Sequence, residues 1–127
     1  MRLFIADKDP FELEAMRVAL ESPDLDIVKA TDGEEALPMI MDDPPRVVVA
    51  ASSLGQMGGM ALSRELKMRH DRGQLPDIAV IVLIERKADA WLAGWSRCDA
   101  HLTKPVDLDE LELLIRELGS RTQPAPA

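Results

Sequence analysis

Cysteine is nearly missing from this chain. Cys98 stands alone, so no internal disulfide can form and a disulfide scaffold is excluded. Basic charge is also short. Fifteen Lys and Arg face 23 Asp and Glu, for a net charge of -8 and a pI of about 4.7. That balance argues against a nucleic-acid surface, which needs a basic face, and against binding to anionic membranes. No apolar run approaches the roughly 18 residues of a membrane-spanning helix. The opening Met1-Arg2-Leu3-Phe4-Ile5-Ala6-Asp7 turns acidic too soon for a secretory signal. No nucleophile–base pair, metal-ligand cluster or Gly-rich phosphate loop stands out, so nothing points to an enzyme. These absences lead to the expectation of a soluble protein of a reducing cytoplasm.

What is present suits one domain. The chain has 127 residues, 46% of them hydrophobic, which is enough for a real core. No internal repeat is visible. The expected domain covers residues 1–119, and the Pro/Ala/polar stretch 120–127 reads as a flexible tail or linker.

Apolar runs alternate with helical patterns. Leu3 to Ala6 is a short continuous apolar run, as expected of a strand buried on both faces. Pro10 suits a helix N-terminus, and apolar residues follow to Leu20 before Ser22-Pro23 stops them. Leu25 to Ala30 reads as a weaker second strand. Glu34 to Met41 reads as a helix that Pro38 should kink or shorten. Val47 to Ala51 is expected to be the central third strand. Met60 to Met68 is a third helix, with Ala61, Leu62, Leu66 and Met68 as core candidates. Ile78 to Ile84 makes a fourth strand, Ala88 to Ser96 a fourth helix, and Ala100 to Thr103 a fifth strand. Leu108 to Leu118 is the clearest amphipathic helix, ended by Gly119. This is an α/β chain of (βα)5 form. Right-handed crossovers make it a doubly wound, five-stranded parallel sheet with helices on both faces. Ligand sites in such sheets lie at the carboxyl ends of the strands, here Asp7-Lys8-Asp9, Ala51, Ile84-Glu85 and Thr103-Lys104.

Three stretches at those ends carry a resemblance. Phe4-Ile5-Ala6-Asp7-Lys8-Asp9-Pro10, Leu54-Gly55-Gln56-Met57-Gly58-Gly59 and Leu102-Thr103-Lys104-Pro105 resemble segments of the receiver domain of two-component response regulators. The likeness runs from residue 2 to about residue 118. It implies the flavodoxin-like receiver fold with strand order 2-1-3-4-5. In that family an aspartate at the end of the third strand accepts a phosphoryl group, because the product is an acyl phosphate. First-strand acids hold a magnesium ion, while a hydroxyl and a lysine read the phosphate.

Carried over by position, the resemblance meets several departures. The acceptor position is Ala51, whose methyl group cannot be phosphorylated. The first acid is kept as Asp7. The second acid, the more direct metal ligand of the family, is Lys8, and the hydroxyl position is Ile84. Lys104 and Pro105 are kept, Asp9 lies beside the acidic pair, and the usual aromatic of the fifth strand is His101. Asp7, Lys8, Ala51 and Lys104 together carry about +1, or none if Asp9 turns inward. Such a site has little reason to bind magnesium, so neither metal nor other cofactor is expected. Lys8 or Lys104 is expected to act as a built-in counter-ion for Asp7.

The resemblance thus implies a degenerate, phosphorylation-independent receiver that binds another signalling protein. Helix four, strand five and helix five form the family's usual docking face, with Trp91, Trp95, Cys98 and His101 as the candidate contacts. Half-buried packing is the plainer expectation for the two tryptophans, a small buried residue for Cys98 and an ordinary edge-strand residue for His101. A homodimer is a further option. Two alternatives stay open: a receiver answering a small ligand or anion at Lys8 and Lys104, and a piece of a longer regulator whose output domain lies beyond Ala127.

Overall fold

The computed structural model describes residues 1–54 and 57–121. The elements alternate throughout: β1 (Arg2–Ala6), α1 (Pro10–Leu20), β2 (Asp26–Ala30), α2 (Gly33–Asp42), β3 (Val47–Ala51), α3 (Gly59–Asp71), β4 (Ala79–Ile84), a 3-10 turn (Lys87–Asp89), α4 (Ala90–Trp95), β5 (Ala100–Thr103) and α5 (Leu108–Gly119). The five strands form one sheet in the order β2-β1-β3-β4-β5, and every neighbouring pair is parallel. This is the doubly wound flavodoxin-like architecture expected from the sequence.

The central strands are buried on both faces, which is why they read as unbroken apolar runs. Side chains alternate between two cores. On one side Leu3, Ile5, Val49, Ile81 and Leu83 meet Leu13, Met16 and Leu20 of α1 and Leu111, Ile115 and Leu118 of α5. On the other, Phe4, Val48, Val80 and Val82 meet Ala36 and Ile40 of α2 and Leu62 and Leu66 of α3. Phe11 and Val18 of α1 and Ala61 of α3 face outward instead. Their spacing is helical, but it falls outside the buried arc.

Two helices differ from expectation. Pro38 does not stop α2, which continues to Asp42. Ala36 and Ile40 on either side of it are fully buried, so packing holds the helix through the missing N–H. The fourth helix is shorter than the sequence suggests, because its first residues form the 3-10 turn and the α-helix covers only Ala90–Trp95. Residues 122–127 of the expected tail lie outside the described residues.

Candidate functional site

The carboxyl ends of β1, β3, β4 and β5 converge on one edge of the sheet. Beyond β1 the chain continues as Asp7, whose N–H donates to the Ala30 carbonyl at 3.2 Å. Alternation then decides orientation. Asp7 turns inward and is 1% exposed, whereas Lys8 is exposed. Lys8 is therefore not part of an enclosed pocket. Asp9 also faces away from it, because it caps α1: its Oδ1 accepts from the N–H groups of Phe11 at 2.9 Å and Glu12 at 3.4 Å. Asp caps a helix well by satisfying first-turn donors.

The counter-ion of Asp7 is Lys104. Its backbone N–H donates to the Ile84 carbonyl at 2.8 Å, which fixes the chain at the end of β5, and a cis peptide bond joins it to Pro105. Lys104 Nζ lies 2.8 Å from Asp7 Oδ2, 2.5 Å from Glu12 Oε2 and 3.6 Å from Glu85 Oε1. Burial works against the lysine's charge, but hydrogen bonds to Asp7 and Glu12 outweigh it and hold the ammonium above its ordinary value of 10.5. Glu12 was not among the candidates from sequence, and Glu85 was named there only as a strand-end residue. They change the local balance: three carboxylates now surround one ammonium, so this corner is acidic and not neutral or positive.

The remaining positions are apolar. Ala51 and Ile84 are fully buried and belong to one cluster with Ala6, Ala50 and Leu54. The start of α3 approaches the end of β3 closely. A Cβ on Gly59 would come within 2.4 Å of the Ala51 carbonyl oxygen, so only glycine lets α3 start this close to β3. Gly55 and Gln56 of the same stretch lie outside the described residues.

The fit to magnesium can be tested on Asp7. Its Oδ1 accepts from the Asp9 N–H at 3.0 Å and its Oδ2 from Lys104 at 2.8 Å. An ammonium already occupies the inner side of the carboxylate, and no carboxylate follows at position 8 or stands at position 51. These residues do not fit a hexacoordinate oxygen site. Among the described residues no group of three or more His, Cys, Asp or Glu is arranged to hold a metal. Beside Lys104, a cleft of about 170 Å³ opens between α1 and the turn from β5 into α5.

The other candidates lie on α4 and β5. Trp95, 50% exposed, is half-buried as expected, whereas Trp91, 71% exposed, is more open than half-buried packing would leave, because the six-residue α4 buries only Ala93. The Arg64 guanidinium sits 4.7 Å from the centre of the Trp95 ring and donates to the Trp95 carbonyl at 2.9 Å. His101 is exposed on the edge strand. Cys98 is half-buried, not enclosed, with Sγ 3.3 Å from the Ala93 carbonyl oxygen.

A parallel α/β sheet of this order, with an Asp–Lys pair joining the ends of its first and last strands, defines a signal-receiver fold. Residues 3–116 match the family model of the response regulator receiver domain, and the chain belongs to that family. It is 30% identical over 126 residues to the response regulator MprA of a Mycobacterium species, covering 98% of this chain and 53% of that protein. It is 30% identical over 122 residues to the response regulator protein PmrA of Pseudomonas aeruginosa, covering 96% and 54%. A third relative, an uncharacterized 14.6 kDa protein of Leptolyngbya boryana, is 28% identical over 117 residues and is covered to 88% of its length. The receiver domain of the Francisella response regulator 1452 superposes with a TM-score of 0.83 at 25% identity, over 94% of this chain and 97% of that one. The chain thus spans about half the length of the two named regulators. No helix among the described residues is long and apolar enough to cross a membrane.

Proposed function

We propose that this receiver domain works without phosphorylation, as a protein-interaction module of two-component signalling in the cytoplasm. The observation that carries this reading is the fully buried methyl group of Ala51 at the end of β3, where the family resemblance puts the acceptor carboxylate. Two further features support it. Ile84 replaces the hydroxyl, and Lys104 is already held by the protein's own carboxylates. No magnesium or other cofactor takes part in this reading, nor does nucleic acid, a membrane or an enzymatic reaction. The same carboxylates disfavour an anion at Lys104. The test is intact-mass measurement after incubation with a small phosphodonor and magnesium. An unchanged mass is expected, and a stable gain of one phosphoryl group would overturn the reading.

The partner in this reading is another signalling protein, docked on α4, β5 and α5. Trp91 and Trp95 support that choice, since exposed tryptophans favour interface anchoring. Capture of a partner by the intact chain, and its loss with Trp91→Ala and Trp95→Ala together, is the expected result. Sedimentation analysis across concentration tests the homodimer option.

A second reading is favoured by the length of the relatives. Two regulators are covered to only 53% and 54%, consistent with a receiver of residues 1–119 joined to an output domain. The native open reading frame decides it: a continuation past Ala127 into a second domain supports this reading, and a stop codon there removes it.

A further inference from the structure

The cleft beside Lys104 combines an apolar floor with an acidic mouth. Met16 of α1, Leu83 of β4, Val106 and Leu108 form most of its floor, and Ala15 stands at its side. Leu83 is 1% and Met16 5% exposed, so this wall is rigid core. Glu12 and Lys104 line the cleft together with the buried Asp7, and Glu85, outside it, lies 3.6 Å from Lys104. At about 170 Å³ the space falls in the range that admits one benzene-sized body, since apolar cavities of roughly 150 Å³ take such a ligand.

We propose that the cleft between α1 and the β5–α5 turn, floored by Met16, Leu83, Val106 and Leu108 and bordered by Glu12 and Asp7, binds a small organic cation with an aromatic or branched apolar body. Charge decides the class of ligand. Two lining carboxylates, Asp7 and Glu12, against the one ammonium of Lys104 leave one surplus negative charge in the cleft, with Glu85 just outside it, 3.6 Å from Lys104, on a chain whose net charge is -8. An anion would have to displace these carboxylates from Lys104. A cation meets the Glu12 carboxylate, whose side chain is 51% exposed while its Oε2 stays on Lys104. The apolar body then leaves water for the cleft floor, as in most small-molecule sites. This site uses none of Trp91, Trp95, Cys98 and His101, so its test does not depend on whether those residues dock a protein.

The test is a backbone-amide NMR titration of the intact chain with three probes that share a phenylethyl body and differ in charge: 2-phenylethylammonium, 2-phenylethanol and 3-phenylpropionate. The ammonium is expected to bind saturably with Kd on the order of 1 mM, as suits a ligand of about nine heavy atoms. Its shifts should centre on Asp7, Met16, Leu83, Val106 and Leu108. The alcohol should bind about fivefold or more weakly, and the carboxylate more weakly still. Glu12→Gln should weaken the ammonium about fivefold and leave the alcohol unchanged. Ala15→Leu, which narrows the cleft from a solvent-facing helix position, should weaken both. Lack of saturable shifts with the ammonium, shifts centred elsewhere, or equal binding of the alcohol or carboxylate would overturn the proposal. So would ammonium binding indifferent to both substitutions.

Discussion

Lys67 Nζ lies 2.7 Å from Asp99 Oδ2 and ties α3 to the turn that enters β5. The lysine side chain is 9% exposed and donates a second hydrogen bond to the Ile78 carbonyl at 2.8 Å. The same Asp99 oxygen accepts from the Val80 N–H at 2.7 Å. Position 67 is therefore a cross-brace between two connections of the sheet, not a solvated helix charge. Removing Lys67 takes the nearest cation from Asp99, which among the described residues keeps only the Val80 N–H and Arg121 at 3.5 Å. Lys67→Ala is expected to lower stability by about 3 kcal/mol, read from the urea midpoint at unchanged slope.

Lys104 and Asp7 make a second such pair. Asp7 is 1% exposed, so Lys104→Met strands a buried carboxylate and should cost about 3 kcal/mol. Adding Asp7→Asn removes that charge, and the double variant should recover much of the loss. A double-mutant cycle by chemical unfolding measures the coupling. Additive losses would show that the pair contributes nothing together.

Restoring an aspartate at position 51 should not restore phosphorylation. Ala51→Asp puts a carboxylate into a fully buried apolar position, at an expected cost of at least about 2 kcal/mol. Lys8 still stands where a second acid would be needed. Intact mass after phosphodonor and magnesium should stay unchanged, while the unfolding midpoint falls.

Pro38 should be dispensable. It lies inside α2 on an exposed position, where proline is about 3 kcal/mol worse than alanine in a helix interior. Pro38→Ala is expected to stabilise by about 1–3 kcal/mol, seen as a higher thermal midpoint.

Acid should weaken the fold through carboxylates on its surface. Arg17, and then Lys29, hold Glu14 down from 4.5 to about 2. Arg116, and then Ser22, hold Asp24 down from 3.8 to about 2. A depressed carboxyl contributes stability above its unfolded value and loses it as pH falls through the folded one. Stability should therefore decline between about pH 4.5 and 2. Glu14→Gln and Asp24→Asn should each flatten that decline. Lys104 has the opposite sign: its raised value keeps its contribution below pH 10.5, with loss only in stronger alkali.

The strands were legible because burial on both faces leaves unbroken apolar runs such as Val47–Ala51, and β3 begins and ends where those residues do. Asp7 beside Lys104 was legible from motif order alone. Glu85 was legible only as a strand-end residue, and Glu12 was not legible at all. Nothing local marks a first-turn glutamate as the partner of a lysine 92 positions away. Lys67 was hidden similarly, because its acceptors lie 11 and 32 positions away. Lys8 was expected in the pocket on position, but strand-like alternation beyond β1 turns it outward once Asp7 points in. The exposure of Trp91 depended on where α4 starts, and the 3-10 turn before it leaves no periodic signal.

The buried methyl of Ala51 also bears on how such a module would be controlled. A ligand or modification shifts a conformational equilibrium only through different affinity for the two states. Where no covalent event occurs at β3, the docking surface of a phosphorylation-independent receiver keeps one affinity over time. Occupancy of its partner then follows mass action between copy number and Kd. In the phosphorylation-independent reading, the variable left for a cell to adjust is gene dosage and turnover, and the information would reside in how much of the domain is present.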